Sequence, residues 1–278
     1  MSTRAPVRRA GGHAARRGPT IRRASAGLSP IRAGAFLVML LTAAAMYGLV
    51  ASDAFAFKRV ELDGAHFTSE SAVRTALALG DGTNLVRLRT DGLAAALRQL
   101  PTVKDADVSV ALPGTVRVQL DERVPILIWQ TDAGSYLVDD QGVLFALADA
   151  SPTDAVDGLP VLADHREAAT ELHVGATLDP VDLDAATRLG SIVPADLGST
   201  ATSLSISVDD DNGYVMKSVP DGWSATFGYY TPSQRQPTLV PDQVRALRSV
   251  LAQVGEAKLA TIILAGDHNG TYTTRDGR

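Results

Sequence analysis

Asp164, His165, Glu171 and His173 lie close together in the chain, and carboxylate and imidazole groups at such spacing can hold a divalent metal. The commoner reading of such a stretch is a solvated acidic loop. Asp209-Asp210-Asp211-Asn212-Gly213 offers oxygen ligands of the kind that bind calcium. Its glycine, however, stands fifth rather than sixth, and no glutamate follows at the required distance. Asn-Gly is also a hairpin signal, and that reading is preferred. Ser224 is a third candidate, a hydroxyl beside Trp223 with no evident base. Gly80-x-Gly82 reads as a loop, and no nucleophile elbow, zinc-protease, Walker or dinucleotide motif occurs. The five histidines are scattered at 13, 66, 165, 173 and 268, and cysteine is absent. Disulfides, thiolate metal sites and cysteine nucleophiles are thereby excluded. The expectation is a binding protein with no catalytic, cofactor or metal site.

Charge and hydropathy show what such a protein is attached to. Eight arginines (4, 8, 9, 16, 17, 22, 23 and 32) and no acid precede Ala33, leaving 18 basic against 31 acidic residues in the remainder. Ala33 to Ser52 is an uncharged run of 20 residues, long enough as a helix to cross a bilayer. The positive-inside rule puts residues 1–32 in the cytoplasm and everything after Asp53 outside, a type II single-pass arrangement. Cleavage near Ala54-Phe55-Ala56 is the rival reading, against which the long basic n-region and long apolar run both stand. The arm, rich in Arg, Ala, Gly, Ser and Pro, is expected to be disordered. Its arginines are read as topology determinants that meet anionic lipid, not as a nucleic-acid site.

After the span, Phe57 to Leu62 alternates as a strand does. Thr68 or Ser69 caps a helix with Val73, Ala76 and Leu77 on one face, closed by Gly80. Thr90 or Asp91 caps another, carrying Leu93, Leu97 and Leu100 and stopped by Pro101. Ala106, Val108, Val110 and Leu112 share one face of the next strand, and Val116, Val118 and Leu120 share the matching face of its partner. Pro113-Gly114 between them suits a type II turn. The order is β-α-α-β-β, two helices on one face of a small sheet. Beyond it, strands are expected at Ile126–Gln130, Ser135–Val138, Ser203–Val208, Tyr214–Lys217, Trp223–Phe227 and Ala260–Leu264. Helices are expected at Pro180–Ile192 and Asp242–Val254, and a last polar strand follows a turn at Gly266–Gly270. The fold class is α+β: a tail (1–32), a transmembrane helix (33–52), a β-α-α-β-β domain (57–123) and a mixed β domain with two helices (124–278).

A membrane helix followed by β-α-α-β-β resembles the FtsQ/DivIB family of bacterial cell-division proteins, whose first outer domain is a POTRA domain. The residues that carry the likeness are Asn84-Leu85, Leu100-Pro101 through Ala106, Pro113 through Val116, Glu122-Arg123-Val124-Pro125 and the run Leu137 to Phe145, in that order. The likeness also implies a further strand at Leu159–Leu162. One departure is Ile263-Leu264-Ala265, where the family usually shows Asp-Leu-Arg. The resemblance implies a non-enzymatic scaffold of the division septum in the bacterial cell (inner) membrane, with an extracytoplasmic C-terminus. It implies FtsB- and FtsL-like single-pass partners, no nucleic acid and no cofactor. The partner strand would add to Thr271, Tyr272, Thr273 and Thr274, with Tyr272 as anchor. Proline at Thr273, or at Thr274 in the alternative register, is the informative change. Two other readings remain: a membrane-anchored envelope hydrolase, and a POTRA-type chaperone of translocating polypeptides.

Overall fold

The computed structural model describes residues 30–220, 222–233, 235–264 and 270–275. The arginine arm up to residue 29 and most of the turn expected at Gly266–Gly270 lie outside the described residues. So does Asp221, just before the strand expected at Trp223–Phe227.

Helix α1 covers Pro30–Ala51, 22 residues, starting three positions before the uncharged run. Proline at the first helical position costs nothing there, because that N–H has no intrahelical acceptor anyway. The helix is about 33 Å long at the usual rise and is long and apolar enough to cross a membrane. Its large side chains, among them Phe36, Leu41 and Met46, are exposed. Beyond Arg32 the helix carries no charge and is apolar on every face, which suits hydrocarbon better than water.

The following 64 residues (59–122) build a three-stranded sheet with two helices, from β1 (Arg59–Asp63), α2 (Glu70–Leu77), α3 (Thr90–Leu97), β2 (Val103–Ala111) and β3 (Thr115–Glu122). The order is β1-β3-β2, with β3 parallel to β1 and antiparallel to β2. Period-two alternation puts Ala106, Val108, Val116, Val118 and Leu120 against Val73, Leu77 and Leu97 of the helices. Several local expectations are corrected. Ser69, not Thr68, caps α2 by accepting from Ala72 N–H. That helix ends at Ala78 in the left-handed region (φ 48°) rather than at Gly80, and Ala78 N–H still reaches Arg74 O. Arg89 precedes α3 without a side-chain cap, and Leu112 is exposed. Gly114 is not among the positive-φ residues, so the turn is not type II. Gly114 is needed for close approach instead: a Cβ there would lie 3.0 Å from the Lys58 side chain and 3.1 Å from Ala56 O.

The second sheet has nine strands in the order β12-β11-β10-β9-β8-β7-β4-β5-β6. They are β4 (Leu127–Thr131), β5 (Gly134–Val138), β6 (Leu144–Leu147), β7 (Val161–Asp164), β8 (Ser203–Asp209), β9 (Gly213–Val219), β10 (Ser224–Gly228), β11 (Leu259–Ile263) and β12 (Thr271–Thr274). Three neighbouring pairs, β4/β7, β7/β8 and β10/β11, are parallel, which makes the sheet mixed. Two long helices, α5 (Pro180–Gly190) and α7 (Val240–Val254), pack onto one face through Ala186, Leu189, Leu247 and Leu251. Two further helices of a single turn, α4 (Thr153–Val156) and α6 (Pro194–Leu197), were not expected, since four residues are too few to show a period. On the other face, at the β4–β6 end, Phe67 from the first sheet's β1–α2 loop meets Phe145 edge-on at 5.2 Å between ring centroids.

The β8–β9 hairpin is real but longer than a two-residue turn. Asp209 pairs with Gly213 across a three-residue loop, and Gly213 takes the left-handed conformation (φ 68°).

Candidate partner-binding edge

The four residues Thr271–Thr274 form β12, an outermost strand of the nine-stranded sheet. It runs antiparallel to β11, with Ile263 opposite Thr271, Ile262 opposite Tyr272 and Thr261 opposite Thr273. Directly opposed residues share a face, so Tyr272 lies on the helix-covered side beside buried Ile262. The residue nevertheless stays 49% exposed. Thr271 and Thr273 lie on the opposite side with Thr261 and Ile263, around a shallow depression of about 60 Å³. Arg275 N–H donates to Lys258 O (2.9 Å), which fixes which edge each residue presents. Alternation then turns the Thr271 and Thr273 N–H groups toward β11 and the Tyr272 N–H outward. The register in which Thr273 would present its N–H to a partner is therefore excluded. The sheet's other outer strand is covered: Leu144 N–H of β6 donates to Ala176 O (2.9 Å), and Gly175 N–H to Leu144 O (2.7 Å).

Both ends of β11 are held by side chains. At its far end Leu264 N–H donates to Thr226 O, while Leu264 O accepts from Arg235 Nη2 (2.6 Å) and Gln243 Nε2 (3.1 Å). Gln243 is fully buried on the inner side of α7. There its amide also donates to Phe227 O and accepts from Tyr230 Oη at 2.7 Å. Burial pushes the Tyr230 hydroxyl well above its usual range, against the opposing pull of Arg235, so it remains a donor. At the near end Glu256 accepts from Ser199 Oγ, Thr200 N–H (2.8 Å), Thr200 Oγ1 (2.7 Å) and Trp223 Nε1 (2.9 Å). Desolvation opposes its ionisation, but these donors outweigh it and hold the carboxyl at about 2 against an ordinary 4.5. A depressed carboxyl contributes stability that is complete above the unfolded value and is lost as pH falls through the folded one. The stability gap between the parent and Glu256→Gln is thus expected to narrow between pH 4.5 and pH 2. Urea midpoints measured across that window check it; a gap of constant size would contradict it.

The other sequence candidates have structural occupations. Asp164 is 1% exposed and belongs to a buried network instead of a metal cage. Its Oδ1 accepts from Arg166 N–H and Nε, and its Oδ2 from Arg166 Nη2 and Trp129 Nε1. Arg166 Nη2 also reaches Asp182 (2.9 Å), whose other oxygen accepts from Tyr214 Oη (2.6 Å). Burial and the neighbouring Asp182 push the Tyr214 hydroxyl up, so it too stays protonated. His173 turns Nδ1 to Glu171 O, and His165 faces Asp132, so the four residues do not converge. Asp209 Oδ1 accepts the Asp211 and Asn212 amides, which makes it the organiser of its own turn. Ser224 is a half-buried strand residue opposite Lys217 and Thr261.

The sequence model of the FtsQ-type POTRA domain matches residues 55–123. A cell division protein FtsQ from Chloroflexus aurantiacus is 29% identical over 172 residues, 62% of this chain and 61% of that protein. One from Streptomyces coelicolor is 31% identical over 121 residues, covering 43% of this chain and 46% of the relative. Another, from Anaeromyxobacter, is 32% identical over 163 residues, 58% of this chain and 53% of the relative. The matches thus span less than two thirds of these relatives' own length.

Proposed function

We propose that the chain is a member of the FtsQ/DivIB family and a non-enzymatic scaffold of the bacterial division septum, a reading supported by the POTRA match and the FtsQ relatives. It is anchored in the cell membrane by α1, with its sheets outside, and binds other single-pass division proteins of the FtsB and FtsL type. The arginine excess before Ala33 supports that orientation. Labelling a cysteine placed at Ser151 with a membrane-impermeant maleimide in intact cells reads it directly, and a protected site would reverse it. The organisation follows the same lines: a cytoplasmic tail (1–32), the span (33–52), the POTRA domain (57–123) and the β domain (124–278).

The observation that carries the binding reading is the position of β12. It ends the sheet with an outward Tyr272 N–H, while the opposite edge is closed by the chain itself. An extended peptide adding there gains main-chain hydrogen bonds, and the depression beside Thr271 and Thr273 receives one of its side chains. Tyr272 supplies rigid amphipathic area of the kind that dominates interfaces.

Two substitutions at one position separate backbone from side chain. Tyr272→Ala keeps the N–H and is expected to weaken capture of an FtsB-like partner by about 2 kcal/mol. Tyr272→Pro removes the N–H as well and is expected to abolish capture while leaving the pairing with β11 intact. Partner pull-down from membranes reads both; capture by the proline variant at the parental level would place the interface elsewhere.

A further inference from the structure

A second surface, remote in sequence from the β12 edge, forms where β3 runs into β4. Arg123 ties the two sheets together here, and Glu122 holds the first sheet's β1–α2 loop beside it. The Glu122 carboxylate accepts from the His66, Phe67 and Thr68 amides, and Arg123 bonds Pro101 O and Asp139. Beside this tie opens a groove of about 560 Å³, between the 64–67 loop and the 152–159 segment. Its walls are apolar: Phe67, Leu120, Val124, Pro125, Ala155 and Leu159. Val124, in the short link between β3 and β4, is 72% exposed and adds its side chain to this apolar wall. The volume falls in the range of small binding pockets.

The exposed formal charge on its rim is acidic. Asp121, Asp154 and Asp157 are exposed on the rim. Among the described residues, none of the three lies within ion-pairing distance of a lysine or arginine. Arg123 is the lone guanidinium of the lining, and it is engaged by Asp139 at 2.5 Å. Apolar walls under an uncompensated acidic rim fit a chain that carries both properties in sequence. Lysine and arginine do so themselves, laying an aliphatic stem on apolar surface and the charge at its margin.

We propose that this groove docks a peptide segment of another protein in which a leucine or phenylalanine stands beside lysine or arginine. The site is independent of the β12 edge: it shares no residue with it, and either could fail without the other. The probe is a fluorescein-labelled peptide, Lys-Leu-Lys-Phe-Lys, with a counterpart bearing Glu for every Lys. Each is titrated against the full chain in nanodiscs of zwitterionic lipid, with empty nanodiscs subtracted. Saturable anisotropy is expected for the basic peptide and none for the acidic one. In the double variant Asp154→Lys/Asp157→Lys the basic peptide is expected to bind roughly tenfold more weakly or worse, and the acidic one to gain affinity. Ala155→Trp, which fills the groove without changing charge, is expected to block the basic peptide. It decides the matter alone should the charge-reversed chain melt early. Absence of saturable binding by the basic peptide overturns the proposal, as does affinity unchanged by Ala155→Trp.

Discussion

Replacing Arg166 by methionine is expected to lower unfolding free energy by about 3–5 kcal/mol, the usual cost of leaving a buried charge without its partner. The guanidinium meets Asp164 with two parallel hydrogen bonds of 2.9 and 2.8 Å and spans to Asp182. Desolvation opposes the charge on Arg166, yet the two carboxylates more than offset it and raise its basicity further. Without it, Asp164 retains only Trp129 Nε1 and one backbone amide, at 1% exposure. Arg166→Lys should recover only part of the loss, because an ammonium cannot reproduce the planar two-point contact. Tyr214→Phe removes the donor on the other side of Asp182 and should combine non-additively with Arg166→Met. Urea midpoints at constant m-value measure all of these. An Arg166→Met chain within about 1 kcal/mol of the parent would mean that the network contributes little net stability.

This network also marks the limit of what can be read along the chain. Proximity in sequence to His165, Glu171 and His173 suggests a solvated acidic loop or, less commonly, a metal site for Asp164, and the buried carboxylate is neither. Its actual partners come from three elements: Trp129 on β4, Asp182 on α5 and Tyr214 on β9. No local period encodes that meeting. Gln243 is similar, a polar residue on the inner side of α7 whose acceptors, Phe227 O and Leu264 O, become visible only once the sheet is assembled. Glu256 was invisible for the same reason, since its donors sit 33 to 57 residues away.

What was legible rests on local physics. Alternation from Ala106 to Leu120 works because each strand has one buried face, so a wrong register would expose every apolar residue at once. Val244, Leu247, Leu251 and Val254 fall on one helical stripe and place α7, and the uncharged run places α1 to within three residues. Turns were read less well. Ala78 takes a left-handed conformation that composition assigns to glycine, and Gly114 serves close approach where positive φ was expected. At β12 the composition marked a strand, but which N–H groups face outward needed the bond from Arg275 to Lys258.

Glu122 is the position where a short motif, Glu-Arg-x-Pro, becomes a mechanical element, and its loss is expected to cost about 3 kcal/mol or more. Hydrogen bonds to an ionised group contribute about 1.5–3 kcal/mol each, and three converge here. Oε2 accepts from His66 N–H (2.6 Å) and Phe67 N–H (2.9 Å), while Oε1 accepts from Thr68 N–H (2.7 Å). The carboxylate itself is 5% exposed, and Thr68 is buried, so water cannot fully replace it. Glutamine is the telling substitution. It keeps the size, but every donor in this nest needs an acceptor and the Gln amide nitrogen offers none. Whichever way it is turned, one or two amides face another donor, and Glu122→Gln is expected to be nearly as damaging as Glu122→Ala. The consequence extends to the second sheet, because the same loop carries Phe67 onto Phe145. Hydrogen exchange at Thr68 should therefore accelerate in both variants, together with exchange at Phe145. Parental denaturation midpoints for Glu122→Gln would show that the nest does not depend on a carboxylate.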